Sequence, residues 1–222
     1  MARTSKIQSI LLAEFLGSII LLMTIVGAGI MADQVSDDDG VSMFITVTCI
    51  AISLGMIIKL FRPISGGHFN PLVTISYLIS KKLNREVAFS MIGAQFSGAI
   101  VGTILANLMF DLPAVSISKL DRLGNHIYLA EFISTVILFI VIRIIDSNKN
   151  FDPAVIIPIF IAPAIFYTSS TAFVNPSVTI ARTLSDTFTG ISPASVPYFL
   201  IVQILGAILG VFISKGLVNG SK

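Results

Sequence analysis

The chain has 222 residues, 55% of them apolar, 12% charged and none tryptophan, with a mean hydropathy of +0.94 and a formal net charge of +2. That composition leaves too little polar surface to cover a soluble globule of this length, and a small, dispersed charge excludes a nucleic-acid binder. An integral membrane protein in contact with a lipid bilayer is expected, built as a single all-α domain over residues 1–222.

Six segments are apolar over roughly the 20 residues needed to span about 30 Å of hydrocarbon: approximately 7–32, 41–60, 87–110, 127–145, 153–170 and 195–215. The first follows Arg3 and Lys6, but it is about twice as long as a signal-peptide core and contains Glu14, so it is expected to be retained. Cys49, the single cysteine, lies in the second and is expected to pack as a small apolar residue rather than line a pore. After the second span, Ser65-Gly66-Gly67-His68-Phe69 leads into Asn70-Pro71-Leu72. After the fifth, Ser170-Thr171-Ala172-Phe173-Val174 leads into Asn175-Pro176-Ser177. Each phrase opens an apolar stretch, about 70–80 and 175–185, that is too short to cross, as a re-entrant half-helix would be.

Lysine and arginine accumulate in short cytoplasmic loops. With the N-terminus inside, the internal segments carry Arg3, Lys6, Lys59, Arg62, Lys81, Lys82, Arg85, Arg143, Lys149, Lys215 and Lys222, eleven of the fourteen basic residues. Only Lys119, Arg122 and Arg182 fall outside, among seven aspartates from Asp33 to Asp186. Both termini are therefore expected in the cytoplasm. The first half-helix then dips in from the cytoplasm and the second from outside.

Opposite topology in two halves implies an inverted repeat, approximately 7–110 and 127–215. Ala13-Glu14-Phe15 matches Ala130-Glu131-Phe132, and the glycine-bearing motif from Gln95 to Gly102 matches that from Gln203 to Gly210. Gly98, Gly102, Gly206 and Gly210 make small-residue faces for close crossing, expected to join the two halves rather than form a dimer face.

Proline at the first helical turn removes an amide hydrogen that would have no partner, so Pro71 and Pro176 suit position N1, with Asn70 and Asn175 as caps. Two such N-termini abutting at the midplane aim positive dipole ends at one spot, where the asparagine amides hold a solute oxygen as an acceptor. Water hydrogens then point towards the two mouths, which interrupts proton hopping, and the field repels cations. Glu14 and Glu131, ionisable groups at equivalent places inside spans, are expected to brace irregular backbone rather than relay protons. His68 belongs to the cytoplasmic vestibule, where it either lines the path and responds to pH or braces the loop.

These residues resemble the aquaporin and glycerol-facilitator family, the major intrinsic proteins, over nearly the whole chain. Ser-Gly-Gly-His-Phe-Asn-Pro matches the family's first signature closely, with Leu72 in place of its alanine. The second signature departs from it: the family's Asn-Pro-Ala-Arg is here Asn175-Pro176-Ser177-Val178, and an arginine arrives only at Arg182. That form, Asn-Pro-x-Val-Thr-x-Ala-Arg, is similar to an atypical bacterial branch, some of whose members are associated with metalloid handling.

Mapped from the two asparagines, the family's selectivity filter falls on Ile50, Pro163, Ala172 and Val178, an apolar set without the usual aromatic, histidine or arginine. Arg182, one turn further out, either faces the outer mouth or, as the favoured expectation, pairs with Asp186. The resemblance implies a homotetramer with one pore per subunit in a bacterial-type inner membrane. It implies a passive channel for water and small uncharged solutes such as glycerol, urea or neutral metalloid hydroxides, closed to protons and ions. No metal-ligand cluster, cofactor motif or catalytic set is present in the sequence, so neither an enzyme nor a bound cofactor is expected. The rival readings are a coupled secondary transporter and a non-conducting structural relative.

Overall fold

The computed structural model describes residues 2–219, with side chains over 6–218. Of the residues in the charge count, the side chain of Arg3 and all of Lys222 lie outside the described residues. The regular elements of the described residues are all helices: α1 (Ala2–Val35), α2 (Asp39–Ser65), α3 (Pro71–Ile79), α4 (Arg85–Met109), α5 (Asn125–Ser147), α6 (Pro153–Tyr167), α7 (Pro176–Ala181) and α8 (Val196–Asn219), with a 3-10 turn at Arg182–Leu184.

Five of these, α1, α2, α4, α5 and α8, are long and apolar enough to cross a membrane. At 1.5 Å per residue the 15-residue α6 reaches only about 22 Å, less than the segment 153–170 expected, because the helix ends at Tyr167. From there the chain runs through irregular backbone to Asn175. The short helices α3 and α7 occupy the two stretches expected to re-enter.

Local chemistry sets the boundaries. Asp38, Asn84 and Asp152 sit in extended conformation and accept hydrogen bonds from backbone N–H groups in the first turns of α2, α4 and α6. Gly66, at φ +96°, closes α2 and turns the chain inward, its N–H donating to the Arg62 carbonyl. Asn70 and Asn175 cap α3 and α7, with proline following each.

Within the first half α4 lies on α1, and within the second α8 lies on α5. A Cβ at Gly98 or Gly102 would collide with the Phe15 or Ile19 carbonyl, and one at Gly206 or Gly210 with that of Phe132 or Val136. The four glycines therefore serve packing inside each half, not between halves as the sequence suggested, because each glycine helix crosses the opening helix of its own repeat. The halves meet instead where α2 crosses α6, at Gly55 against Ala154 and Pro158, and by exchange of the half-helices, α3 touching α8 and α7 touching α4.

Outward faces carry large apolar side chains such as Ile52, Phe89 and Phe212, as lipid contact demands. Cys49 is exposed on this outer surface and away from the central cavity. It lies in α2 and does not line the cavity, and its contacts are on the outward face rather than in the interior of the chain.

Candidate pore

The N-terminal tips of α3 and α7 meet at the centre and lock across. Asn70 Nδ2 donates to the Val174 carbonyl and Asn175 Nδ2 to the Phe69 carbonyl, both at 2.8 Å. Each asparagine thus holds the residue preceding the other. Their Oδ1 atoms accept from Leu72 N and Ser177 N at 3.0 Å, which fixes both side chains from two sides. One hydrogen of each amide is engaged in this crossing, so a single N–H per asparagine remains to meet a solute oxygen, rather than the whole amide.

The backbone leading to each tip is contorted: Phe69, Thr171, Ala172 and Val174 all have φ between 44° and 59°. Such left-handed non-glycine residues cost on the order of 1–3 kcal/mol each and persist only when their surroundings fix them. Thr171 N donates to the Thr168 carbonyl and Ala172 N to Ser170 Oγ, and the two buried glutamates fix Phe69 and Val174. Glu14 accepts from the N–H groups of His68 (3.0 Å) and Phe69 (2.8 Å), and from Ser65 Oγ and Gln95 Nε2. Glu131 accepts from the N–H groups of Phe173 (3.1 Å) and Val174 (2.6 Å), and from Gln203 Nε2. Gln95 also bonds Thr74 Oγ1 at 2.8 Å and Gln203 bonds Thr179 Oγ1 at 2.9 Å, tying each carboxylate to the half-helix it supports.

Around the tips runs one cavity of about 880 Å³, from Arg62, Tyr77 and Asp146 at one end, past Asn70 and Asn175, to Arg122, Arg182 and Asp186 at the other. Of the four mapped positions, Ile50, Ala172 and Val178 line it. Pro163 does not. It is exposed on the far side of α6, whose cavity face is the stripe Ile157, Ile161 and Ile165. Residues two apart on a helix point about 200° away from each other, so a position counted through the irregular 168–175 segment landed on the wrong face. The residues that α6 turns to the cavity along this stretch are isoleucines.

Arg182 also faces the cavity, and the expected Arg182–Asp186 ion pair is not formed. Its Nε donates to the Thr189 carbonyl and its guanidinium lies 3.5 Å from the centre of the Phe173 ring. Asp186 instead accepts from Lys119 N. The cause is the 3-10 turn after Ala181, which breaks the helical register that would have stacked Arg182 under Asp186.

At the opposite end His68 both lines the cavity and braces its loop, Nδ1 lying 3.0 Å from Thr74 Oγ1 and the ring 4.4 Å from that of Tyr77. Tyr77 donates to Asp146, which also pairs with Lys82. Sequence reasoning missed Tyr77, Asp146, Arg122 and Phe173. Polar residues in or beside apolar spans were the available signal for the first two; the long α4–α5 connection gave none for Arg122.

Comparison with known proteins places this geometry. A family model described as Major intrinsic protein matches residues 1–169 and again 126–222. The chain is 35% identical over 212 residues to aquaglyceroporin AqpS of Rhizobium meliloti, covering 95% of this chain and 90% of that protein. It is 26% identical over 144 residues to Aquaporin-4 of Notomys alexis, covering 62% of this chain and 44% of that protein. The X-ray structure of the aquaglyceroporin from Plasmodium falciparum superposes with a TM-score of 0.71 at 21% identity, over 96% of this chain and 99% of that one, a likeness of fold.

Proposed function

The chain belongs to the major intrinsic protein family, and from that premise we propose that it works as a passive transmembrane channel for water and small uncharged solutes of the aquaglyceroporin kind. The observation that carries this reading is the cavity running past two crossed asparagine caps from one basic end of the molecule to the other mouth. A solute oxygen at the centre meets the free N–H of Asn70 and Asn175 and the positive ends of α3 and α7. A cation finds no acceptor charge there, and the water chain is interrupted for protons.

Selectivity is assigned to Ile50, Ala172 and Val178 with Ile161 or Ile165. With no donor among these side chains, water gains little over a polyol, which favours glycerol, urea and neutral metalloid hydroxides as cargo. The crossed locks between tips speak for a fixed pore rather than the rocking bundle of a coupled transporter, and the open cavity speaks against a non-conducting relative. Residues 1–222 are read as one channel domain of two inverted repeats, about 7–110 and 127–215. Both termini are assigned to the cytoplasm of a bacterial-type inner membrane, on the side where Lys59, Arg62, Lys82 and Arg143 gather, and the assembly is assigned as a homotetramer.

Stopped-flow swelling of proteoliposomes with water, glycerol, urea and neutral arsenite tests the reading, alongside Val178→Arg. The substituted channel is expected to lose about tenfold or more in glycerol flux, a barrier increase of about 1.4 kcal/mol, while still passing water. Identical solute profiles would remove Val178 from the filter. Saturable uptake driven by an ion gradient would replace the channel with a transporter.

A further inference from the structure

Two cations converge on one aromatic ring at the outer mouth. Arg122, from the α4–α5 connection, and Arg182, from the turn after α7, place their guanidinium carbons 5.2 Å and 3.5 Å from the centre of the Phe173 ring. Each is held through Nε by one of two consecutive carbonyls: Arg182 by Thr189, and Arg122 by Gly190 at 2.9 Å. The Arg122 backbone is pinned as well, its N–H donating to Ser195 Oγ at 2.9 Å. Among the described residues the four Nη nitrogens make no hydrogen bond, and neither arginine has a carboxylate within ion-pair distance.

Asp39, Asp121 and Asp186 share this mouth, but Asp121 accepts from Ser192 Oγ and Asp186 from Lys119 N, and neither meets a guanidinium. Arg182 is only 6% exposed. Glu131 attracts both guanidinium groups through space but contacts neither, its oxygens being taken by Phe173 N, Val174 N and Gln203. A buried guanidinium without a direct carboxylate partner is costly, and the face of a phenyl ring recovers only about 0.5–2 kcal/mol. Bringing a second cation to the same ring adds repulsion. Burial pulls Arg122 down to about 10, which still leaves it charged at neutral pH.

We propose that Arg122 and Arg182 form a binding site for a small oxyanion, of the carboxylate or sulfonate type, at the outer mouth of the pore. Paired nitrogens in a planar fork match the two oxygens of such a group, and an anion between the forks relieves both the desolvation and the mutual repulsion. The anion binds there and goes no further. Inward of the site stand Val178, Ala172 and Ile50, whose side chains offer nothing to replace its hydration. An occupied site therefore obstructs the path of neutral solutes from outside. The binding half of this inference stands on the arginines alone, and the obstruction rests on the channel reading.

Acetate and methanesulfonate, the second of which stays ionised and cannot cross as a neutral acid, are suitable probes. Each is titrated calorimetrically into the full-length protein in detergent against chloride at equal ionic strength. Methanesulfonate is then added outside or inside proteoliposomes of uniform protein orientation during glycerol efflux. Saturable binding is expected, weakened at least tenfold in Arg122→Gln and partly restored in Arg122→Lys, with flux reduced from the outside only. No binding of either probe to the unsubstituted protein overturns the site, as does unweakened binding in Arg122→Gln or equal obstruction from the two sides. Those first and last measurements need no variant to fold. Binding without any glycerol flux above empty liposomes would instead sink the channel reading and leave the site intact.

Discussion

The middle of the molecule and its two mouths obey different rules. At the middle the halves are near copies: carboxylate to two backbone N–H groups, glutamine to carboxylate and threonine, asparagine to the opposite half's carbonyl, with 2.8 Å in both crossed bonds. At the mouths they diverge, with His68, Tyr77, Asp146 and Arg62 at one end and Arg122, Arg182 and Phe173 at the other. The duplicated groups are those that satisfy distorted backbone inside lipid, where an unpaired amide has no water to turn to. The groups that differ are those that meet a solute arriving from two different compartments.

The most severe way to test that contrast is to damage one copy of the shared bracket. In Glu131→Gln an amide group faces donors that required an acceptor, and at least one of Phe173 N, Val174 N and Gln203 Nε2 loses its partner. Breaking a buried charged network of this kind costs about 3–5 kcal/mol. Loss of folded protein, or a large fall in detergent melting temperature, is expected, and the same for Glu14→Gln. If one substitution is tolerated and the other is not, the likeness of the two brackets is geometric only.

A smaller effect probes the one place where the bracket itself is asymmetric. Gly17 and Ser134 hold equivalent repeat positions, as do Phe69 and Val174. A Cβ on Gly17 would enter the Phe69 ring, so the bulkier residue before the first asparagine requires the bare glycine opposite. Gly17→Ala should destabilise by about 1–3 kcal/mol through overpacking. Adding Phe69→Val should recover most of that loss in thermal unfolding, because it sets a small side chain opposite valine, as Ser134 and Val174 are in the second half. Failure of the double variant to recover would mean that the Phe69 ring contributes stability through its other contacts, the edge of Phe61 among them.

How much of this was legible in the sequence follows the same division. The half-helices, their caps and the bracing role of Glu14 and Glu131 could be read because proline, asparagine and buried acid each have few physical uses and each occurs twice. The crossed asparagine bonds were not legible, since they join residues 104 and 106 apart whose meeting depends on how the halves dock. Pro163 was misplaced because counting backwards from Asn175 passes through backbone of no fixed period. Arg182 was misjudged for a related reason: helical spacing was assumed where α7 stops after 6 residues.

The corrected α6 face yields a prediction on transport rather than folding. Ile161→Ala should widen the narrow region and raise glycerol flux relative to water by roughly threefold, equivalent to about 0.6 kcal/mol in the barrier. Pro163→Ala, on the outward face, should leave the solute profile where it was. The reverse outcome in the proteoliposome assay would restore Pro163 to the pore and displace the isoleucine stripe.

The gentlest test lies where the halves touch outside the membrane core, at the Lys59–Asp152 pair, 2.7 Å between α2 and the start of α6. Hydrogen bonding to Lys59, and next to the N–H of Ala154, holds the Asp152 carboxyl below the usual carboxylate range. A depressed folded value means that the stabilisation is complete above the unfolded carboxylate pKa, about 3.9, and drains away as pH falls through the lower folded value. Exposure and salt screening keep such a pair weak. Asp152→Asn preserves a capping oxygen but removes the charge, so its melting temperature should lie slightly below that of the unsubstituted protein at pH 7. The gap should close as the pH is taken well below 4 or as salt is raised. A gap that persists under both conditions would assign the effect to the cap on α6 and leave the α2–α6 contact to side-chain packing, Gly55 against Ala154 and Pro158 included.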